Sequence, residues 1–209
     1  MHQAFCSNAR KKCFYALQKQ LCKNTIIEDD QSLSWSLIWQ DTTKSKFDQK
    51  CDNKLFMKAL KTLCSGFGKG IESTVAAMIY NHEGEYGGFY TGIIHKEGKC
   101  ASVAVFRAHP TKGFVEIPIV ATLESYRSQG LCKRLMESIE VCVRGLGIQH
   151  LILPSVDTRL DMWRHFGFNP IEEADLNLLF EGNLDNIANF QGTTLCLKKL
   201  TNSEYDDEP

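Results

Sequence analysis

Glu116 interrupts an otherwise apolar run, Phe114-Val115-Glu116-Ile117-Pro118-Ile119-Val120-Ala121-Thr122, and eleven residues after it begins Arg127-Ser128-Gln129-Gly130-Leu131-Cys132. The run reads as a buried strand carrying one carboxylate. The basic, glycine-containing hexapeptide reads as a turn that opens a helix near Gln129. Backbone N–H groups at a helix start lack intrahelical partners, and the helix dipole adds partial positive charge there, so a diphosphate fits. Strand, anion-binding turn and nearby carboxylate together point to transfer of a group carried on a nucleotide cofactor.

Each residue type has its own reason to be in such a site. Gly130 lets the backbone approach a diphosphate closely, and Arg127 adds charge. The backbone N–H groups of Gln129, Gly130, Leu131 and Cys132 would do most of the binding, with Ser128 in the same turn. Lys133 and Arg134 can reach outer phosphates, but the favoured reading makes them ordinary solvated helix residues. Nothing in the sequence places a histidine beside Cys132, so no nucleophilic role is assigned to it. Pro118 cannot donate to a sheet ladder and marks an edge, a bulge or a place where two strands part. On its own, Glu116 reads as an ordinary solvent-facing strand residue. His150 and His165 receive no role.

The elements that must position these groups follow from periodicity. Residues 9–23 carry Phe14, Leu17 and Leu21 at helical spacing, and the acidic stretch 28–31 ends that helix. Residues 34–39 alternate like a short strand, and 41–50 read as a loop. Helical spacing returns from Asn53 (Leu55, Ala59, Leu60, Leu63) and stops at Gly66 to Gly70, and a shorter apolar segment follows over 75–80. Segments 88–95 and 100–109 flank Lys96-Glu97-Gly98-Lys99, a hairpin signal. After the Glu116 strand, Leu131, Leu135, Ile139 and Val143 recur every four residues and predict a helix with one apolar stripe. A short strand over 150–153, a helix capped by Asp157 and running to Phe166, a helical piece over 172–180 and a strand within 187–200 complete the order. Helices, three antiparallel strands, then helix, strand, helix and strand give an α/β (α+β) domain with a mixed central sheet flanked by helices.

Composition bounds the function classes. At 209 residues the chain is long enough for one sizeable core, or one domain plus an appendage, and Lys plus Arg (24) nearly balances Asp plus Glu (25). Direct nucleic-acid binding is therefore not indicated. No apolar run reaches the ~18 residues of a membrane span. The nine cysteines fall singly, without a Cys-x-x-Cys pair, and are expected to be reduced thiols acting as small core hydrophobes. The same spacing offers no zinc site, so no metal is expected.

The strand–turn–helix resembles motif A of the GNAT N-acetyltransferases, whose coenzyme A diphosphate loop has the form Arg/Gln-x-x-Gly-x-Gly/Ala. The match fails only at Cys132. Glu116 lies at the spacing that histone-type members use for their general base, and Trp163-Arg164-His165-Phe166-Gly167-Phe168 resembles their Tyr-x-x-x-Gly-Phe segment. Phe5-Cys6-Ser7, Ser34-Trp35-Ser36, Asn53-Lys54-Leu55, Gly88-Phe89-Tyr90-Thr91, Ile119-Val120-Ala121-Thr122 and Phe190-Gln191-Gly192-Thr193 resemble plant PHD-finger acetyltransferases of the increased-DNA-methylation type. The chain looks like the part that follows their fingers. This resemblance implies the GNAT fold over residues 51–200; the element order reads the helical and strand-forming residues 1–50 as an N-terminal appendage, and composition reads the acidic residues 201–209 as a solvated, disordered tail.

It also implies acetyl-CoA as co-substrate. Val120, Ala121 and Thr122 would hydrogen-bond the pantetheine arm in the gap beside their strand, and the Val120 N–H would steady the oxyanion. A substrate lysine has a pKa of about 10.4, so neutralising it at pH 7 costs roughly 4.6 kcal/mol. Glu116, desolvated among Phe114, Pro118 and Val120, would be shifted upward and become a usable base. Trp163 stands where many members carry a tyrosine acid, and an indole cannot protonate a leaving thiolate. The expected function is transfer of acetyl to a protein lysine, with histone tails and chromatin proteins as partners and the nucleus as location. A catalytically weak chromatin scaffold and a small-molecule N-acetyltransferase are the alternatives.

Overall fold

The computed structural model describes residues 8–44, 50–67, 70–82, 84–180, 187–188 and 190–200. The Phe5-Cys6-Ser7 match and the tail over 201–209 lie outside the described residues. In chain order the elements are α1 (Asn8–Gln20), β1 (Thr25–Ile27), β2 (Asp30–Ile38), α2 (Asn53–Ser65), α3 (Glu72–Ile79), β3 (Tyr90–Lys96), β4 (Lys99–His109) and β5 (Phe114–Thr122). There follow α4 (Leu131–Val143), β6 (His150–Ser155), α5 (Leu160–His165), β7 (Asn169–Pro170), α6 (Glu173–Phe180) and β8 (Thr194–Lys199). The described strands form one sheet in the order β1-β2-β3-β4-β5-β6-β8-β7, and among their pairings β5–β6 alone is parallel. This is the expected mixed sheet flanked by helices.

The apolar stripe of α4 buries Leu131, Leu135, Met136, Ile139, Cys142 and Val143, and the helix lies against β3, β4 and β5. α2 buries Phe56, Ala59 and Leu63 and lies against β4 and β5. Its buried Thr62 hydroxyl is satisfied by donating to the Cys100 carbonyl at 2.8 Å. Asp52 caps α2 by accepting from the Lys54 N–H at 2.8 Å.

Four expectations are corrected. The segment expected as an appendage shares the sheet and the core with the rest: β2 pairs with β3 along its length, and Leu17, Leu33, Trp35, Leu37 and Ile38 are buried. The acidic stretch 28–31 does not end the first helix, which stops at Gln20; it forms the turn from β1 and the start of β2, where Asp30 accepts from Ser32. Cys22 and Cys51 are joined in a disulfide rather than reduced, because the turn after α1 carries Cys22 beside the start of α2. Cys13, Cys64, Cys100, Cys132, Cys142 and Cys196 are free, as expected. Asp157 does not cap a helix: a short 3-10 turn, Asp157–Arg159, precedes α5 without a side-chain cap, and the Asp157 carboxylate accepts from the Thr194 hydroxyl at 3.4 Å instead.

Candidate functional site

β5 carries the site, and its two neighbours define it. On one side it pairs with β4, from Ser102↔Thr122 to His109↔Phe114, with an irregularity between Val105 and Arg107 opposite Ile117 and Pro118. On the other side it pairs with β6 only at Phe114↔His150, Val115↔Leu151 and Glu116↔Ile152. Beyond that pair β6 continues along β8, through Leu153, Pro154 and Ser155, while β5 continues along β4. The two strands therefore part directly after Glu116. Pro118, lacking an N–H, sits both at the bulge and beside the parting, where a missing donor costs least. Val120, Ala121 and Thr122 keep β4 partners on one edge and have no strand partner on the other among the described residues.

The turn after β5 is locked into a shape that presents backbone N–H groups. Ser128 and Gly130 both take left-handed φ, 58° and 77°, and Gly130 forms the N-cap of α4 without a side-chain cap. The first hydrogen bond into the helix is Arg134 N–H to the Gly130 carbonyl, at 3.1 Å, which leaves the earlier N–H groups as donors without helical partners. Nothing lies within 4 Å of where a Gly130 side chain would begin, so it is the left-handed φ rather than crowding that favours glycine there. The helix starts two residues later than expected from Gln129. Side chains brace the turn: Arg127 Nε donates to the Thr122 carbonyl at 3.3 Å, and Gln129 Nε2 donates to the Ser125 carbonyl at 3.0 Å. Lys96 Nζ donates to Gln129 Oε1 at 2.8 Å, and the Tyr126 hydroxyl donates to Glu97 at 2.8 Å. Arg134 is engaged with Asp29 at 2.6 Å rather than simply solvated. Burial pushes the Cys132 thiol up to about 12, which fits its exclusion as a nucleophile.

Glu116 is 3% exposed and densely bonded. Its Oε1 accepts from Arg107 Nε at 2.5 Å and from His109 Nε2 at 2.7 Å, and its Oε2 accepts from the Ala188 N–H at 2.9 Å. Arg107 is itself held over the Phe89 ring at 4.4 Å, and its Nη1 donates to the Glu85 and Gly87 carbonyls. Desolvation by burial pushes the Glu116 carboxyl upward, but the His109 hydrogen bond, the charges of Arg107 and His109 and the Ala188 N–H outweigh it and hold the group below the usual carboxylate range. The expected upward shift is thus corrected: the apolar neighbours are present, but three donors stabilise the anion. Trp163 is buried, edge-on to Phe166 and Phe168 at 5.7 and 5.6 Å.

Glu116, Val120–Thr122 and the 127–132 turn thus fall in one line, with about 20 Å of strand between the carboxylate and Thr122 at ~3.3 Å per residue. A carrier with a diphosphate at one end and a reactive group at the other matches that line. Arg107, His109 and the Ala188 N–H were not anticipated. The first two were legible: a hairpin ending at His109 and restarting at Phe114 pairs 107 with 116. Ala188, 72 residues from Glu116, gives no such signal. Among the described residues no cluster of His, Cys, Asp and Glu is placed to hold a metal, and no helix is long and apolar enough to cross a membrane.

Comparison with known proteins gives the same architecture. The Tetrahymena GCN5 structure superposes with a TM-score of 0.62 at 13% identity, covering 80% of this chain and 96% of that one. The catalytic domain of Tetrahymena GCN5 histone acetyltransferase in complex with coenzyme A superposes at 0.58 with 14% identity, covering 83% and 96%. In sequence, Increased DNA methylation 1 of Arabidopsis thaliana is 27% identical over 218 residues, which cover 95% of this chain and 18% of that protein. The profile described as Increased DNA methylation 1, C-terminal domain, matches residues 69–199. The chain has the GNAT acetyltransferase fold and belongs to the Increased DNA methylation 1 C-terminal domain family.

Proposed function

We propose that the chain is an acetyl-CoA-dependent N-acetyltransferase for protein lysine side chains, with histone tails as substrates in nuclear chromatin. The observation that carries this reading is the parting of β5 from β6 directly after Glu116, in line with the N–H cradle at the start of α4. Acetyl-CoA, when bound, supplies the activated acetyl group. The edge of Val120, Ala121 and Thr122 left without a strand partner would bond the extended pantetheine as an added strand would, and the Val120 N–H would face the developing oxyanion. The N–H groups of Gln129 through Cys132, with Ser128 in the turn and Arg127 beside it, would hold the diphosphate. Histone tails and nuclear location rest on the likeness to the Arabidopsis relative and to GCN5.

Two observations favour a second reading, a chromatin scaffold with weak catalysis. Trp163 offers no acid and lies in the core, and Glu116 is held in its charged form. Titration calorimetry with acetyl-CoA, followed by acetyl transfer to a histone H3 tail peptide, polyamines and free amino acids, tests both. Binding heat and transfer to the peptide are expected. Binding without transfer to any acceptor leaves the scaffold, and no binding heat removes the cofactor site altogether.

A further inference from the structure

The hairpin between β3 and β4 reaches across to the turn that follows β5. Lys96 pairs with Lys99, so two residues close the hairpin, Glu97 and Gly98, both at left-handed φ (51° and 73°). That geometry matches the twist of the flanking strands. The neighbouring residues Lys96 and Glu97 then hold the turn at two positions three apart. Glu97 accepts from the Tyr126 hydroxyl at 2.8 Å, and Lys96 Nζ donates to Gln129 Oε1 at 2.8 Å. Between the two holds lies Ser128, the left-handed non-glycine residue of the turn. Such a backbone is strained and persists only where its surroundings fix it.

The grip also closes on itself. Gln129 Nε2 donates back to the Ser125 carbonyl at 3.0 Å, so one side-chain amide ties the hairpin to both ends of the turn. At its base the Leu123 N–H donates to the Ala101 carbonyl at 2.9 Å, and the Ser102 and Thr122 hydroxyls bond at 2.8 Å. The Tyr126 ring is buried, with Lys99 Nζ 5.6 Å from its centroid. Its hydroxyl bonds a charged acceptor from a buried ring and is the stronger hold, whereas the Lys96 bond is exposed and water competes for it.

We propose that this hairpin is a positioning device for the cofactor: Glu97 and Lys96, acting through Tyr126 and Gln129, keep the N–H groups of residues 129–132 aimed for a diphosphate before it binds. The inference rests on the acetyl-CoA reading above. Ordering a loop on binding costs affinity, so a turn already held in the bound shape binds more tightly. The benefit is confined to the diphosphate. Val120, Ala121 and Thr122, along which the pantetheine arm would lie, are fixed by their pairing with Ala104, Val103 and Ser102 and do not depend on the side chains of residues 96 and 97.

Tyr126→Phe keeps the buried ring and removes only the hydroxyl, and Glu97→Met removes the acceptor. Each is expected to weaken acetyl-CoA by about tenfold in calorimetry, the scale of one hydrogen bond to a charged group. Acetylpantetheine, which carries the thioester arm without the diphosphate, is expected to displace acetyl-CoA with its wild-type dissociation constant. The double variant should be no weaker than either single one, because both changes remove the same bond. Wild-type acetyl-CoA affinity in Tyr126→Phe overturns the positioning role while the cofactor reading stands. So does an equal loss for acetyl-CoA and acetylpantetheine, the mark of a general loosening, or losses that multiply in the double variant. No binding heat from the wild-type chain overturns the cofactor reading and this inference together. Should Tyr126→Phe fail to fold, Lys96→Met decides: a loss of about threefold confined to acetyl-CoA, as for an exposed hydrogen bond, sustains the proposal, and wild-type affinity overturns it.

Discussion

Glu116 is bound by donors on three separate segments, so its protonation state is coupled to the fold as well as to the site. Its carboxyl lies below the ordinary range in the folded chain and near 4.3 in the unfolded one. A depressed pKa contributes stability above the unfolded value, and that contribution drains away as pH falls through the folded value. The wild-type melting temperature should therefore fall more steeply below about pH 4.3 than that of Glu116→Gln, with the two curves converging in acid. At pH 7 the variant should be less stable by about 1–3 kcal/mol, because its amide NH₂ would face a donor. Thermal melts of both proteins from pH 3 to 8 check this; parallel curves would show that the carboxylate is not linked to folding. Sequence reading found Glu116 and its apolar neighbours but reversed the sign of its shift. That sign depends on what crosses the sheet: Arg107 and His109 were recoverable from hairpin register, whereas the Ala188 N–H arrives from a segment that no local pattern ties to β5.

At the scale of elements, β5, its turn and α4 were legible because strand, breaker and amphipathic helix follow one another within thirty residues. β1 was not, because Thr25-Ile26-Ile27 is too short to show a period and exists by pairing with β2 across the turn after Ile27. The Cys22–Cys51 bridge was missed for a related reason: its sequence separation is 29, and only the packing of α1, β2 and α2 brings the two thiols together. It ties the turn after α1 to the residue before the Asp52 cap of α2, whose far end meets β5 so closely that a side-chain carbon on Gly66 would lie 2.7 Å from Ala121 Cβ. Closing a loop of this length removes unfolded-state entropy worth about 3–4 kcal/mol. A Cys22→Ser, Cys51→Ser double variant, or reductant, should lower the melting temperature by several degrees. Thiol labelling under denaturing, non-reducing conditions should modify Cys13, Cys64, Cys100, Cys132, Cys142 and Cys196 and leave Cys22 and Cys51 blocked. An unchanged melt on reduction would mean that the bridge contributes nothing to the folded chain.

Across the whole molecule, the first fifty residues carry too much of the core to be dispensable. Leu17, Leu33, Trp35, Leu37 and Ile38 are each at most 9% exposed. Trp35 covers Gly92 so closely that a side chain there would enter the indole ring, which fixes β2 on β3. At about 1.5–3 kcal/mol for each fully buried large side chain, these five match the 5–15 kcal/mol that holds a domain folded. Their removal would also bare the edge of β3 along its whole pairing with β2, a template for aggregation. α1 further braces α4 through the Gln20 side chain, which donates to the Cys142 carbonyl at 3.2 Å, so the helix whose start forms the N–H cradle would lose a support. A chain beginning at Cys51 is therefore expected to lack a cooperative melt, to bind a hydrophobic dye and to give no heat with acetyl-CoA, whereas the full chain melts in one transition. A sharp transition in the shortened chain, with acetyl-CoA binding intact, would restore the first fifty residues to the status of an appendage.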